Sequence, residues 1–252
     1  MRRIHTGLLL AVFACMAAVA SAQTPPSVDE VVDKSLAAIG GRAVLAKNTT
    51  RSIAGKIAVS TDAGEIPGTI EGVNQAPNKM RRVISLDLSA LGGDKATIEQ
   101  RFDGTTGFVM DSMRGDMTLS GSQLENLKNT IFPSPLLDYK TRGTKVVLGG
   151  KDKVGDREVY ALSVQPATGP VTRLFVDAQS YLPVRAIVTL EVPELGSQEQ
   201  TTDFSDYRDV DGVKVPFGIK ISSAIQTIRI TVTKVEQNVK LDPAVFAKPA
   251  GK

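Results

Sequence analysis

The chain has 252 residues, 42% of them hydrophobic and 23% charged, with a formal net charge of +3. A balance so near neutrality gives no global electrostatic reason to seek nucleic acid or an anionic membrane. Beyond the N-terminus no stretch approaches the roughly 18 uninterrupted apolar residues of a membrane span.

The first residues read as a secretory signal, with Arg2 and Arg3 at the start, an apolar run from Gly7 to Ala20, and Ala20-Ser21-Ala22 as a small-residue cleavage site. Cleavage after Ala22 removes the single histidine, His5, and the single cysteine, Cys15, from a chain that has no tryptophan. Imidazole catalysis, thiolate chemistry, disulfides, and zinc, haem or iron–sulfur ligation are thereby excluded from the mature protein. No cofactor is expected. A lipid anchor on Cys15 is the alternative, but Phe13 stands where lipidation favours a smaller residue, and the apolar run continues past Cys15. The expectation is a periplasmic monomer with one domain over residues 23–252, which is enough chain, about 230 residues, for a substantial core.

Pro25-Pro26-Ser27-Val28-Asp29-Glu30 opens a helix: Ser27 caps, Glu30 completes a capping box, and Asp29 suits the positive end. Val28, Val31, Val32, Leu36 and Ile39 recur at helical spacing as far as Gly40-Gly41, and Arg42 to Lys47 adds a further turn or two. Then the texture changes to short alternating runs punctuated by turns. Ile53 to Val59 precedes Asp62-Ala63-Gly64, Ile66 to Gly72 follows, and Met80, Ile84, Leu86 and Leu88 share a face on which Arg82 intrudes. Ile98 and Phe102, then Phe108 to Asp111, flank Asp103-Gly104 as a hairpin. Ser120 to Asn129 predicts a short helix, and Ile131 to Leu137, with Pro133 and Pro135, an irregular loop. Strands resume over 145–148, 158–164, 171–176, 184–192, 201–207, 213–221 and 225–235, and Pro243 to Phe246 forms a closing turn. This pattern is mainly β with few helices. It predicts an antiparallel meander of ten or eleven strands, curled into a half-closed barrel that an N-terminal helix and a short lid helix cover.

Three motifs, in order, carry a resemblance. They are Phe102-Asp103-Gly104-Thr105-Thr106-Gly107-Phe108; Phe175-Val176-Asp177 through Tyr181-Leu182-Pro183-Val184-Arg185; and Phe204-Ser205-Asp206-Tyr207-Arg208 with Asp211-Gly212-Val213-Lys214-Val215-Pro216-Phe217. Together they resemble the LolA-type outer-membrane lipoprotein-sorting protein superfamily, in particular its longer exported relatives. The resemblance implies a half-barrel lidded by helices around an apolar cavity for acyl chains. It departs at the turn after the second strand. Lipoprotein carriers have an Arg-Pro pair there, whose arginine latches the lid; here the turn reads Gln75-Ala76-Pro77.

Within that frame, Met110, Met113, Met117, Leu119, Leu124, Leu127, Ile131 and Phe132 are candidates for the lid and cavity lining, because flexible, polarisable methionines suit variable apolar ligands. Ile57, Ile70, Ile84, Leu86, Phe102 and Phe108 are candidates on the strands beneath. Other constellations fail their tests. Asp203, Asp206, Asp209 and Asp211 before Gly212 lack the acids an EF-hand needs where Tyr207 and Gly218 stand. Glu99, Asp103, Asp111 and Asp116 offer paired carboxylates, but no tryptophan provides a sugar platform, and no G-x-S-x-G, S-x-x-K or P-loop pattern occurs. Lys79-Met80-Arg81-Arg82 reads as a charged strand end. The expected function is a non-catalytic carrier or chaperone for lipid or lipoprotein acyl chains. The alternative is an envelope-stress sensor or interaction module that uses the same fold to bind an envelope protein.

Overall fold

A computed structural model describes residues 25–62, 64–192 and 196–248. Residues 1–22, read above as a secretory signal, with His5 and Cys15, lie outside the described residues. Two helices lead, α1 (Val28–Ala38) and α2 (Arg42–Lys47). Six strands follow: β1 (Thr50–Thr61), β2 (Gly64–Gln75), β3 (Lys79–Asp87), β4 (Lys95–Phe102), β5 (Gly107–Asp111) and β6 (Gly115–Thr118). Helix α3 (Gly121–Lys128) then leads through a loop to β7 (Lys145–Val154), β8 (Arg157–Gln165), β9 (Thr172–Asp177), β10 (Pro183–Val192), β11 (Gly196–Val210), β12 (Val213–Ser222) and β13 (Thr227–Gln237). A 3₁₀ turn, Ser89–Leu91, lies between β3 and β4, and a second, Pro243–Phe246, follows β13 where the sequence placed a turn.

All thirteen strands form one antiparallel sheet in the order β6-β5-β4-β3-β2-β1-β13-β12-β11-β10-β9-β8-β7. The expected ten or eleven strands become thirteen, and the sheet does not close. Strand β6 had no signal to offer: all four of its residues are exposed, so no apolar alternation marks it. The two edge strands, β6 and β7, are consecutive in the chain. The segment that joins them, α3 and residues 129–144, therefore spans the gap that a closed barrel would have sealed by hydrogen bonds.

The core lies between the sheet and the two leading helices. Val31, Val32 and Leu36 of α1 and Leu45 of α2 meet Ile57, Ile70 and Leu86 from one half of the sheet, and Leu162, Val176, Val215 and Val232 from the other, in one cluster. Strands from both ends of the sheet thus share one core, which requires the sheet to curl. The alternation is clearest in β13, where buried Ile230 and Val232 interleave with exposed Arg229, Thr231 and Thr233. Full burial of each aliphatic side chain of α1 contributes about 1.5–3 kcal/mol.

Helix α1 begins as its sequence dictates. Ser27 Oγ accepts from the Glu30 amide at 3.1 Å, and the Lys34 ammonium, with help from the Ser27 amide, holds the Glu30 carboxyl below its ordinary range. The helix is tied down at both ends. Tyr139 donates its hydroxyl to Asp29 at 2.8 Å, and Lys34 stands 5.0 Å above the ring of Tyr181, which stacks on Tyr160. Gly40 then turns the chain into α2 at φ +131°, where a Cβ would come within 2.5 Å of the Gly212 carbonyl. The Lys214 amide donates to the Ile39 carbonyl beside it at 3.1 Å, so the helices are hydrogen-bonded to β12 as well as packed on the sheet.

Candidate ligand cavity

A cavity of about 680 Å³ opens between the helices, the lid segment and the second half of the sheet. Its floor is built from alternate residues of β9 and β10, Thr172, Leu174, Ala186 and Val188, with Phe204 from β11. Ser35 of α1, Ile39 at its C-terminal cap and Leu45 of α2 form one wall, and the lid contributes Ile131, Pro133, Pro135 and Leu136. Proline recurs around the rest, with Pro77, Pro166, Pro170, Pro183 and Pro216 all on the lining. Proline offers apolar surface without a backbone N–H, so these segments enclose space without leaving donors to satisfy.

The lid is fastened at three places. Arg51 of β1 lies with its guanidinium carbon 5.0 Å from the Phe132 ring centroid. The Phe132 amide donates to the Pro77 carbonyl at 2.8 Å, and Asn78 Nδ2 to the Lys128 carbonyl at 3.1 Å. Across the mouth, Asn129 Nδ2 donates to the Thr168 carbonyl at 2.6 Å and Thr168 Oγ1 to Glu125 at 2.8 Å, joining α3 to the β8–β9 turn. The turn after β2 lacks the arginine of the resembled carriers. Its backbone and Arg51 of β1 hold the lid instead.

The candidates named from sequence are distributed over several places. Ile131 lines the cavity. Ile57, Ile70 and Leu86 are buried in the main core, with Ile84 packed against it. Phe102, Leu119 and Leu127 form a second cluster with Met80 beneath α3, and Leu124 packs on it. Phe132 is buried under Arg51. Phe108 and Met110 pair with Arg101 and Glu99, on the sheet face opposite Phe102. Met113 and Met117 stand exposed on the β5–β6 hairpin, at 58% and 44%. Sequence reasoning missed Ser35, Arg51, Ala186, Val188 and Tyr207; the density of proline over 133–135 and 166–170 was the available signal.

The electrostatics of the lining are one-sided. Arg51, Lys128, Arg142 and Lys214 belong to it, and among the described residues no aspartate or glutamate does. Burial draws the Arg51 guanidinium down to about 10. Burial also lowers Arg142, against the nearby Asp138 carboxylate, and Arg142 spends donors on the carbonyls of Pro135 and Leu137. Tyr207 donates its hydroxyl to the Pro183 carbonyl at 2.7 Å, and burial raises its pKa.

The acids weighed for other chemistry are occupied elsewhere. Glu99 accepts from Arg81 at 2.6 Å and Arg101 at 2.7 Å, and Asp111 caps its own hairpin by accepting from the amides of Met113 and Arg114. Asp203 pairs with Arg185, Asp206 with Arg208, and Asp209 accepts from the Gly212 amide. Among the described residues no three potential ligands gather into a metal site.

No family model matches the sequence, and no curated protein matches it. Solved structures do share its fold. A LolA superfamily protein from Nitrosomonas europaea is 13% identical, with a TM-score of 0.57 over 88% of this chain and 98% of that one. A DUF1329 family protein from Desulfovibrio piger is 14% identical, with a TM-score of 0.57 over 89% of this chain and 98% of its own. A putative outer membrane lipoprotein-sorting protein domain from Vibrio parahaemolyticus is 9% identical, with a TM-score of 0.55 over 86% and 94%. At such identities the likeness shows the fold alone.

Proposed function

We propose that this chain, whose fold is LolA-like, is an exported periplasmic carrier or chaperone that takes lipid or lipoprotein acyl chains into its cavity and performs no chemistry on them. The observation that carries this reading is the cavity itself: about 680 Å³, inside the roughly 300–1,000 Å³ of small-molecule sites, with aliphatic and proline walls. Burying an acyl chain is worth about 0.8 kcal/mol per methylene, so a ~12-carbon segment supplies up to roughly 10 kcal/mol gross. Release then depends on what opposes that gain, and the lid fastenings at Phe132, Asn78 and Asn129 are the contacts whose breaking would couple to it.

The test is native mass spectrometry of protein purified from its source, beside an Ala186→Phe variant that fills the floor. Co-purifying lipid in the parent and its loss in the folded variant support the carrier. An empty parent bound stably to a protein partner would sink it, in favour of the interaction-module alternative.

A further inference from the structure

We infer that the cargo is an anionic amphiphile, whose carboxylate or phosphate group seats on Arg51 while its alkyl chain occupies the apolar part of the cavity. This rests on the carrier reading and adds the sign of the head group. Of the four cations on the lining, two are already committed: Lys128 pairs with Glu125 at 2.8 Å, and Arg142 donates to the Pro135 carbonyl at 2.8 Å and also to the Leu137 carbonyl.

Arg51 is different. Its one hydrogen bond among the described residues runs from Nε to Gln237 Oε1 at 3.0 Å. The guanidinium carbon lies 5.0 Å from the Phe132 ring centroid, and both Nη nitrogens are without a protein partner among the described residues. The Nε bond anchors the group and leaves the two Nη nitrogens as paired N–H donors, a fork that matches a carboxylate or phosphate bidentately.

Charge and polarity elsewhere on the lining point the same way. A cation withdrawn from water without a counter-charge is costly, and its depressed pKa reports that cost. Ser35, which is fully buried, also lines the cavity, and its Oγ has no hydrogen-bond partner among the described residues. Lys214 adds an exposed positive charge to the same lining, with no ion pair among the described residues. An anionic head group supplies the missing counter-charge and an acceptor. A neutral head group leaves the guanidinium uncompensated, and a cationic one is repelled.

The experiment compares hexadecanoate, hexadecanol and hexadecyltrimethylammonium at about pH 8, where the carboxylate is ionised, with inorganic phosphate as a chain-free control. Each displaces phenylnaphthylamine, a neutral fluorescent probe, from delipidated mature protein. Hexadecanoate is expected to bind about tenfold or more tightly than hexadecanol, the scale of a charge-assisted hydrogen-bonded pair. Arg51→Gln is expected to bring the two to within about twofold, and Arg51→Lys to fall between, since it keeps the charge and loses the fork. Lys214→Gln, at an exposed position, keeps the test open if the Arg51 variants do not fold: it is expected to narrow the preference, as is raised salt on the parent protein. Equal affinity of the parent for hexadecanoate and hexadecanol overturns the head-group inference and leaves the carrier standing. Failure of all three amphiphiles overturns the carrier reading itself. Phosphate displacing the probe as well as hexadecanoate overturns the amphiphile in favour of a free anion.

Discussion

The Arg51 guanidinium carbon lies 5.0 Å from the centroid of the Phe132 ring, and the Phe132 amide donates to the Pro77 carbonyl at 2.8 Å. One lid residue is therefore held from its side chain by β1 and from its backbone by the turn after β2. Phe132→Ala removes a buried ring as well as this contact, and about 3 kcal/mol of stability is expected to go with it. The loss should be local. Hydrogen exchange at the amides of α3 is expected to accelerate more than that of β12 and β13. Uniform acceleration would mean the ring supports the whole core and not the lid.

At the opposite fastening, Gly169 sits at φ +92°, and a Cβ there would run into Asn129 Nδ2. Gly169→Ala is expected to cost about 1–3 kcal/mol and to break the Asn129 bond to Thr168, which a thermal melt and the exchange rate of the α3 amides would both report. An unchanged melting temperature would show that the β8–β9 turn relaxes freely away from α3.

The strand pattern was readable because sheet faces impose a period of two on burial, and β12 and β13 obey it closely. The N-terminal helix was readable from Ser27, Glu30 and the Val31–Leu36 spacing. The cavity was not, for a physical reason. Periodicity separates the inside of a sheet from its outside, but a void lies where side chains from distant segments fail to meet. Ser35, Arg51, Ala186 and Tyr207 come together only through the curl of the sheet. The methionine-rich stretch shows the same limit: flexibility and apolarity mark residue types suited to a cavity but not where they stand, and Met113 and Met117 are exposed on the β5–β6 hairpin.

Leu36 is fully buried where α1 meets the sheet. Leu36→Ala is expected to destabilise the protein by about 2–5 kcal/mol, whereas Val44→Ala on the exposed side of α2 should stay within about 0.5 kcal/mol. Urea unfolding of both variants checks the contrast. Similar midpoints would mean that α1 contributes little to holding the sheet curled.

Glu99 gives a pH prediction. Burial pushes its carboxyl up, but the Arg81 and Arg101 hydrogen bonds outweigh that and hold it below the ordinary glutamate value of 4.5. A carboxyl lowered on folding contributes stability above its unfolded value and loses it as the pH falls through the folded one. Glu99→Gln should therefore lower the urea midpoint most at neutral pH, and the gap to the parent should narrow below pH 4.5. A gap that is constant with pH would show that the two arginines gain nothing from the charge.

The first strand and the last lie side by side at the centre of the sheet, paired from Arg51 opposite Gln237 to Ser60 opposite Thr227 with a bulge between Ala54 and Gly55. Every other strand pair joins neighbours in sequence, so each half of the sheet can zip from its own hairpins. The seam between them waits for the final strand. Residues 50–222 can thus be present and largely paired while β1 keeps an open edge, and the one strand pairing that joins the two hairpin stacks becomes available only when residue 237 arrives. Timing is built into the strand order: the cavity, whose lining includes Arg51 of β1 and the inner residues of β9 to β11, is assembled last.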